Sequence, residues 1–276
     1  MKIIDGKSWA AQIRLELKEK IEKLTKKPTL AVVIVGNDPA SQVYVRNKVR
    51  GCEEVGIKSL TYSLPETASQ KQVEDLLDTL AVDNGIDGIL LQLPLPKGFD
   101  SESAMKRIPV KKDVDGFSAE HLGNLALGKA STVACTPLGV MKLLQLEGVE
   151  IEGKNAVIVG RSDTVGKPMA MLLLNANATV TVCHSKTQNL KDICKNADIL
   201  VAAIGKAKFI TADMVKDGAV VVDVGINRTD EGKLCGDVDF ESVKDKTSLI
   251  TPVPGGVGPM TIAMLLSNTY TSATQE

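Results

Sequence analysis

The chain has 276 residues, 43% apolar and 24% charged, with a formal net charge of −1. It is long and apolar enough for one large or two medium cores, which excludes a disordered chain. With no net field and no Lys/Arg block beyond pairs such as Lys111-Lys112, it offers little to nucleic acid or an anionic bilayer, so a small neutral or anionic ligand is the expected partner.

The first residues, MKIIDGKSWA, show no basic segment followed by an apolar stretch, and no run approaches the roughly 18 to 20 apolar residues of a membrane span. A cytoplasmic protein is expected. The five cysteines, Cys52, Cys135, Cys183, Cys194 and Cys235, are odd in number and never spaced as CxxC. They predict buried thiols in a reducing compartment rather than a disulfide framework or a zinc site. His121 and His184 are the only histidines and form no HExxH, so no protein-bound catalytic metal is expected.

Along the chain, LAVVIVG from Leu30 to Gly36 reads as a buried parallel strand, being continuously apolar and β-branched. Asp38 then caps a helix with Pro39 in its first turn and Gly56 as its stop. KSLTYSL, a helix near Gln70 to Leu80 and the strand DGILLQL continue the β-α alternation. Residues 111 to 136 have no sustained period and are the expected passage between domains. Beyond them come helix PLGVMKLLQLEG, strand NAVIVG, a helix near Gly166 to Asn175, strand ATVTVC, a short helix, strand DILVAAIG, a further helix, strand GAVVVDVG, and a final helix MTIAMLLSNTY. This order predicts an α/β protein of two domains, an α/β substrate domain and a doubly wound, Rossmann-like domain. If the last helix packs on the first half, the first domain is discontinuous.

NAVIVGRSDTVGKPMA places Gly160 after a strand and Gly166 at the start of a helix, where exposed N–H groups and the helix dipole can receive a pyrophosphate. The spacing is G-x-S-x-x-x-G, with Ser162 where a second glycine usually lies. NAD sites commonly place an acid about 20 residues further on for the ribose 2′-hydroxyl. Here the chain reads VTVCHSKT, without one. Ser185 and Lys186, with Arg161, suit a 2′-phosphate instead, so NADP is the expected cofactor; the competing reading makes Arg161 and Lys186 solvated loop charges.

In the first half, Tyr44 and Lys48 stand four apart on the first long helix and share a face. A lysine serves as a base only where burial or neighbouring cations favour its neutral form, since its ordinary pKa lies about 10.4. Alternatively, Arg46, Lys48 and Arg50 form a solvated basic face. Gln92 is a polar residue at the carboxyl end of a parallel strand, where ligands gather, or else a hydrogen-bonded core amide. Asp113 and Asp115 in KDVDGF are ligands for a ring-nitrogen donor pair or turn caps. TPVPGGVGPMT, residues 251 to 261, is a rigid Gly/Pro loop that allows backbone to approach a flat ligand, or a return linker.

Taken together and in order, SQVYVRNK, DGILLQLPLP, KDVDGF, GRSDTVGKP and TPVPGGVGPMT resemble the bifunctional methylenetetrahydrofolate dehydrogenase/cyclohydrolase family over nearly the whole chain. The resemblance implies NADP-dependent oxidation of 5,10-methylenetetrahydrofolate to the methenyl form, then hydrolysis to 10-formyltetrahydrofolate. It implies one-carbon metabolism serving purine, methionine and histidine biosynthesis, and a homodimer, most simply through the cofactor domain. Residues 1–118 plus 256–276 would be the folate-binding catalytic domain and 119–255 the NADP-binding one. In residue roles, Tyr44 would stack on the folate ring, Lys48 would be the acid/base of hydrolysis, Gln92 would hold Lys48, and Asp115 would anchor the pterin. Leu91 and Leu93 would line the folate cleft with Pro254, Gly255, Gly256, Val257, Gly258 and Pro259. Gly160, Arg161, Ser162, Val165, Gly166 and Ser185 would hold the cofactor, and Ile226 would border the nicotinamide. Two alternatives compete: an NADP dehydrogenase of another small substrate, resembling shikimate dehydrogenase, and an NADP-sensing module without turnover.

Overall fold

The computed structural model describes residues 1–229 and 231–275. In chain order the first elements are β1 (Lys2–Ile3), α1 (Gly6–Glu22), β2 (Thr29–Val35), α2 (Pro39–Val55), β3 (Lys58–Leu64), α3 (Gln70–Val82), β4 (Gly88–Leu91), α4 (Ser101–Met105) and α5 (Ala119–Ala126). Then follow α6 (Cys135–Leu146), β5 (Asn155–Val159), α7 (Gly166–Asn175), β6 (Thr179–Cys183), α8 (Leu190–Lys195), β7 (Ile199–Ala202), β8 (Val220–Asp223), β9 (Asn227–Arg228), β10 (Leu234–Cys235), α9 (Phe240–Val243), β11 (Leu249–Ile250) and α10 (Val257–Thr274). Mixed α/β architecture with parallel sheets is therefore observed.

One compact unit comprises residues 11–124, 130–133 and 262–276, so it is discontinuous in sequence. Its sheet runs β3-β2-β4, all parallel. Every residue of β2 and β4 is buried, which is why both read as unbroken apolar runs. One face of this sheet, with Ala31, Val33, Ile89 and Leu91, packs on Val73, Leu77 and Leu80 of α3. Local signals set the helix ends as expected. The Asp38 carboxylate accepts from the Ser41 amide, and Gly56 closes α2 at φ 85°. Ser69 and Gln72 form a reciprocal capping box on α3. The Lys112 ammonium donates to the carbonyls of Leu80, Ala81 and Asp83, so this member of the basic pair closes the end of α3.

The other unit comprises residues 1–10, 125–129 and 134–261. Its six strands run β1-β11-β8-β7-β5-β6, all parallel. Strand β6 lies on one side of β5 and β7 on the other, so the winding reverses between β5 and β7. The short elements β9, β10, α9 and β11 go beyond expectation, and two further features depart from it. The helix expected between β7 and β8 is only a 3₁₀ turn, Ala212–Met214. Lys208 there takes a left-handed φ of 53° and Ile210 forms a bridge with Val238, so the segment follows a loop path that helical residues cannot. Strand β1 also joins this sheet at its edge, through two residues too few to show any period.

Candidate functional site

In the first unit, α2 carries Lys48. Ser41, Val45, Cys52 and Val55 form its buried stripe, and Lys48 falls between Val45 and Cys52 at helical spacing. Lys48 is accordingly half-buried, whereas Arg46 and Arg50 are exposed. The three cations therefore do not form one solvated face. Tyr44, one turn earlier, is 38% exposed. Gly51 lets α10 come close: a Cβ there would lie 3.2 Å from both Ile262 Cγ2 and Leu266 Cδ1.

Gln92 follows β4 and is 8% exposed. Its amide N–H donates to Val33 carbonyl (2.8 Å), continuing the ladder. The side chain Nε2 donates to the Leu93 carbonyl (2.6 Å), which turns Oε1 toward Lys48 Nζ, 3.1 Å away. Gln92 is thus a satisfied buried amide that also holds an ammonium at the carboxyl ends of β2 and β4. Leu91 is 3% exposed and belongs to the core, while Leu93 is half-buried.

The two aspartates of KDVDGF separate in role. Asp113 is 7% exposed and closes the turn, accepting from the amides of Gly116 (3.0 Å) and Ser118 (2.7 Å). Asp115, in the same turn, is half-buried. A residue the sequence reading passed over secures this turn: buried Asn268 on α10 donates to the carbonyls of Val114 (2.9 Å) and Val133 (3.0 Å). The only signal for it was one amide inside an apolar helix.

In the second unit the Gly160 turn sits at the winding reversal. Gly160 has φ 136°, and a Cβ there would lie 2.1 Å from the Ala203 carbonyl oxygen. A Cβ on Gly166 would lie 2.3 Å from the Gly160 oxygen. Both glycines are therefore required by backbone contact, and they leave a cradle at the N-terminus of the ten-residue helix α7. Ser162 Oγ accepts from the amides of Val165 (3.2 Å) and Gly166 (3.4 Å), so the residue in place of a second glycine caps this helix. Arg161 and Ser162 are exposed, and Val165 is half-buried. After β6, Ser185 and Lys186 are exposed in a turn tied by His184, whose amide donates to Thr187 Oγ1 (2.8 Å). These hydroxyl and cationic groups, with no acid among them, have the donor character a phosphorylated ribose needs.

Ile226, 47% exposed, follows β8. A Cβ on Gly258 would lie 3.8 Å from Ile226 Cδ1, so the Gly/Pro loop and Ile226 are neighbours. That loop is drawn tight: Gly255 has φ 106°, its carbonyl accepts from the Lys7 amide (2.9 Å), and a Cβ on Gly256 would lie 2.6 Å from the Pro252 oxygen. Pro254 through Pro259 belong to the same compact unit as Ile226, and Lys48 and Gln92 to the other.

Two family models match the chain. The tetrahydrofolate dehydrogenase/cyclohydrolase catalytic domain covers residues 4–115, and the NAD(P)-binding domain of the same enzymes covers residues 134–276. The bifunctional protein FolD of Campylobacter curvus is 58% identical over 276 residues, spanning 99% of this chain and 96% of that one. The crystal structure of the bifunctional FolD methylenetetrahydrofolate dehydrogenase/cyclohydrolase of Campylobacter jejuni aligns with a TM-score of 0.97 at 52% identity, covering 99% and 98% of the two chains. The Trypanosoma brucei methylenetetrahydrofolate dehydrogenase-cyclohydrolase, solved with NADP and an inhibitor, aligns at 0.94 with 37% identity, covering 98% and 96%.

Proposed function

Because the chain belongs to the tetrahydrofolate dehydrogenase/cyclohydrolase family, we propose that its two reactions divide between Lys48 and the Gly160 cradle. The chain is a bifunctional enzyme that oxidises 5,10-methylenetetrahydrofolate with NADP and hydrolyses the resulting methenyl cation to 10-formyltetrahydrofolate. Neither the shikimate-type dehydrogenase nor the sensor without turnover is supported by relatives matched over almost the whole chain.

NADP, when bound, accepts hydride from the folate methylene carbon. That step requires holding and orientation, and no acid or base. Gly160 and Gly166 open the cradle for its pyrophosphate, Arg161, Ser162 and Ser185 hold phosphates, and Ile226 borders the nicotinamide. Hydrolysis is different, since water must lose a proton as it attacks the cationic carbon and a ring nitrogen must later gain one. Lys48 performs both transfers. Gln92 fixes its position, Tyr44 stacks on the folate ring, and Asp115 anchors the pterin. The observation that carries this reading is the Lys48 to Gln92 hydrogen bond at the carboxyl ends of β2 and β4.

The folate half runs in this proposal over 1–118 plus 256–276 and the NADP half over 119–255; the catalytic-domain match over 4–115 supports the first boundary, whereas residues 1–10 and 256–261 belong to the compact unit of the cofactor sheet. We propose a cytoplasmic setting, which suits the free, buried thiols of Cys52, Cys135, Cys183 and Cys194. We also propose a homodimer through β6, an edge strand with Val182 38% exposed, in a unit whose helix α7 leaves Leu174 60% exposed. Sedimentation equilibrium should give twice the 29.4 kDa chain mass, and a monomer mass would refute it.

The activity is checked by following NADPH and methenyltetrahydrofolate absorbance together. NADPH should appear while methenyl stays below its uncatalysed steady level. Accumulating methenyl would leave a dehydrogenase alone, and no NADPH would refute the reading. NAD should serve more slowly than NADP, and Arg161→Ala should narrow that gap; an unchanged gap would remove Arg161 from the phosphate site.

A further inference from the structure

Behind the ends of β7 and β8 lie two buried carboxylates that the mechanism above does not use. Asp237 has no exposed surface, and both its oxygens are committed. Oδ2 accepts from the amides of Ile204 (2.6 Å) and Gly205 (3.1 Å), and Oδ1 accepts from the Lys206 amide (2.8 Å) and Asn227 Nδ2 (2.9 Å). Residues 204–206 leave β7 and Asn227 follows the turn after β8, so one carboxylate ties together the loops of two adjacent strands. Asp223, 3% exposed at the end of β8, holds Asp237 in turn. It accepts from the amides of Asp237 (2.9 Å), Val238 (2.9 Å) and Gly225 (3.0 Å).

The backbone is moulded around these groups. A Cβ on Gly225 would lie 2.3 Å from Asp237 Oδ1, and one on Gly236 would lie 1.8 Å from Asp223 Oδ2. Burial pushes the Asp223 carboxyl up to about 6, with the Asp237 charge adding to it. Burying two neighbouring carboxylates costs stability, which the seven hydrogen bonds they accept offset. The loop after β7 leaves the sheet beside the winding reversal, where an open parallel sheet receives its ligand, and the loop after β8 leaves from the next strand.

We propose that Asp237, held by Asp223, is a positioning residue for the dinucleotide, setting the 204–206 loop and the Ile226–Asn227 turn in the shape that receives the nicotinamide half of NADP. This rests on the NADP reading above and adds a residue to it.

The test compares KM for NADP, KM for methylenetetrahydrofolate and the cyclohydrolase rate in the wild type, Asp237→Asn and Asn227→Ala, with folding checked by circular dichroism. Asparagine offers one acceptor oxygen and turns an NH₂ group toward amide donors, so about half of the four hydrogen bonds are lost. KM for NADP should rise about tenfold or more in Asp237→Asn and about threefold in Asn227→Ala. The folate KM and the cyclohydrolase rate, which needs no dinucleotide, should change far less. If Asp237→Asn does not fold, Asn227→Ala decides alone. A folded variant with wild-type KM for NADP, or one that loses both activities equally, overturns the proposal. A wild-type protein that makes no NADPH overturns the NADP reading itself, and this inference with it.

Discussion

Lys48→Met is expected to abolish the hydrolysis of methenyltetrahydrofolate while leaving at least part of the dehydrogenase rate. Methionine has nearly the length of lysine and suits the stripe between Val45 and Cys52, so helix α2 should keep its packing. What disappears is the amine that takes a proton from the attacking water. General acid–base catalysis of this kind contributes about 10²- to 10⁴-fold, so the cyclohydrolase rate should fall by that range. Hydride transfer, which asks only for alignment, loses no chemical group. The spectrum should show NADPH forming as methenyltetrahydrofolate accumulates. Equal loss of both activities in a variant with wild-type circular dichroism would contradict this role for Lys48.

Gly160→Ala should damage the cofactor unit strongly, because a close backbone contact and a positive φ coincide there. The new methyl would stand 2.1 Å from the Ala203 oxygen, on backbone with φ 136°. Neither neighbour is a flexible side chain, so β5 or the loop after β7 must move. We expect a loss of about 3 kcal/mol, from backbone strain and the clash together. For a domain of this size that lowers the melting temperature by roughly 6 to 12 °C. Affinity for NADP should fall with it, because the same turn forms the pyrophosphate cradle. Gly148→Ala is the comparison: it also has a left-handed φ, 68°, but nothing lies within 4 Å of the added methyl. Its cost should be only about 1 kcal/mol. If the two variants melt together and bind NADP alike, the close approach at Gly160 is not what requires glycine there.

Much of the scaffold was legible because it rests on local physics. Burial on both faces makes β2 and β4 unbroken apolar runs, and Asp38, Pro39 and Gly56 mark the ends of α2 by their own hydrogen-bonding and dihedral preferences. The helix expected between β7 and β8 failed because its composition does not reveal that Asp237 and Val238 draw the 204–210 segment into a loop. Lys48 could have been separated from Arg46 and Arg50 by spacing alone, since the stripe Ser41, Val45, Cys52, Val55 includes its position. The competing solvated-face reading weighed charge before phase.

By itself, then, the sequence determined an α/β chain with parallel sheets, a glycine turn with a helix behind it, and a family resemblance carried by five short motifs. Each of these follows from residues close together in the chain, where period, caps and φ preferences act. Only the tertiary structure decided that Gln92 turns its oxygen to Lys48, that Asp113 closes a turn, and that Asn268, Asp223 and Asp237 hold loops from inside. A buried polar side chain must find a partner, but which partner depends on what distant segments the fold brings within 3 Å or so.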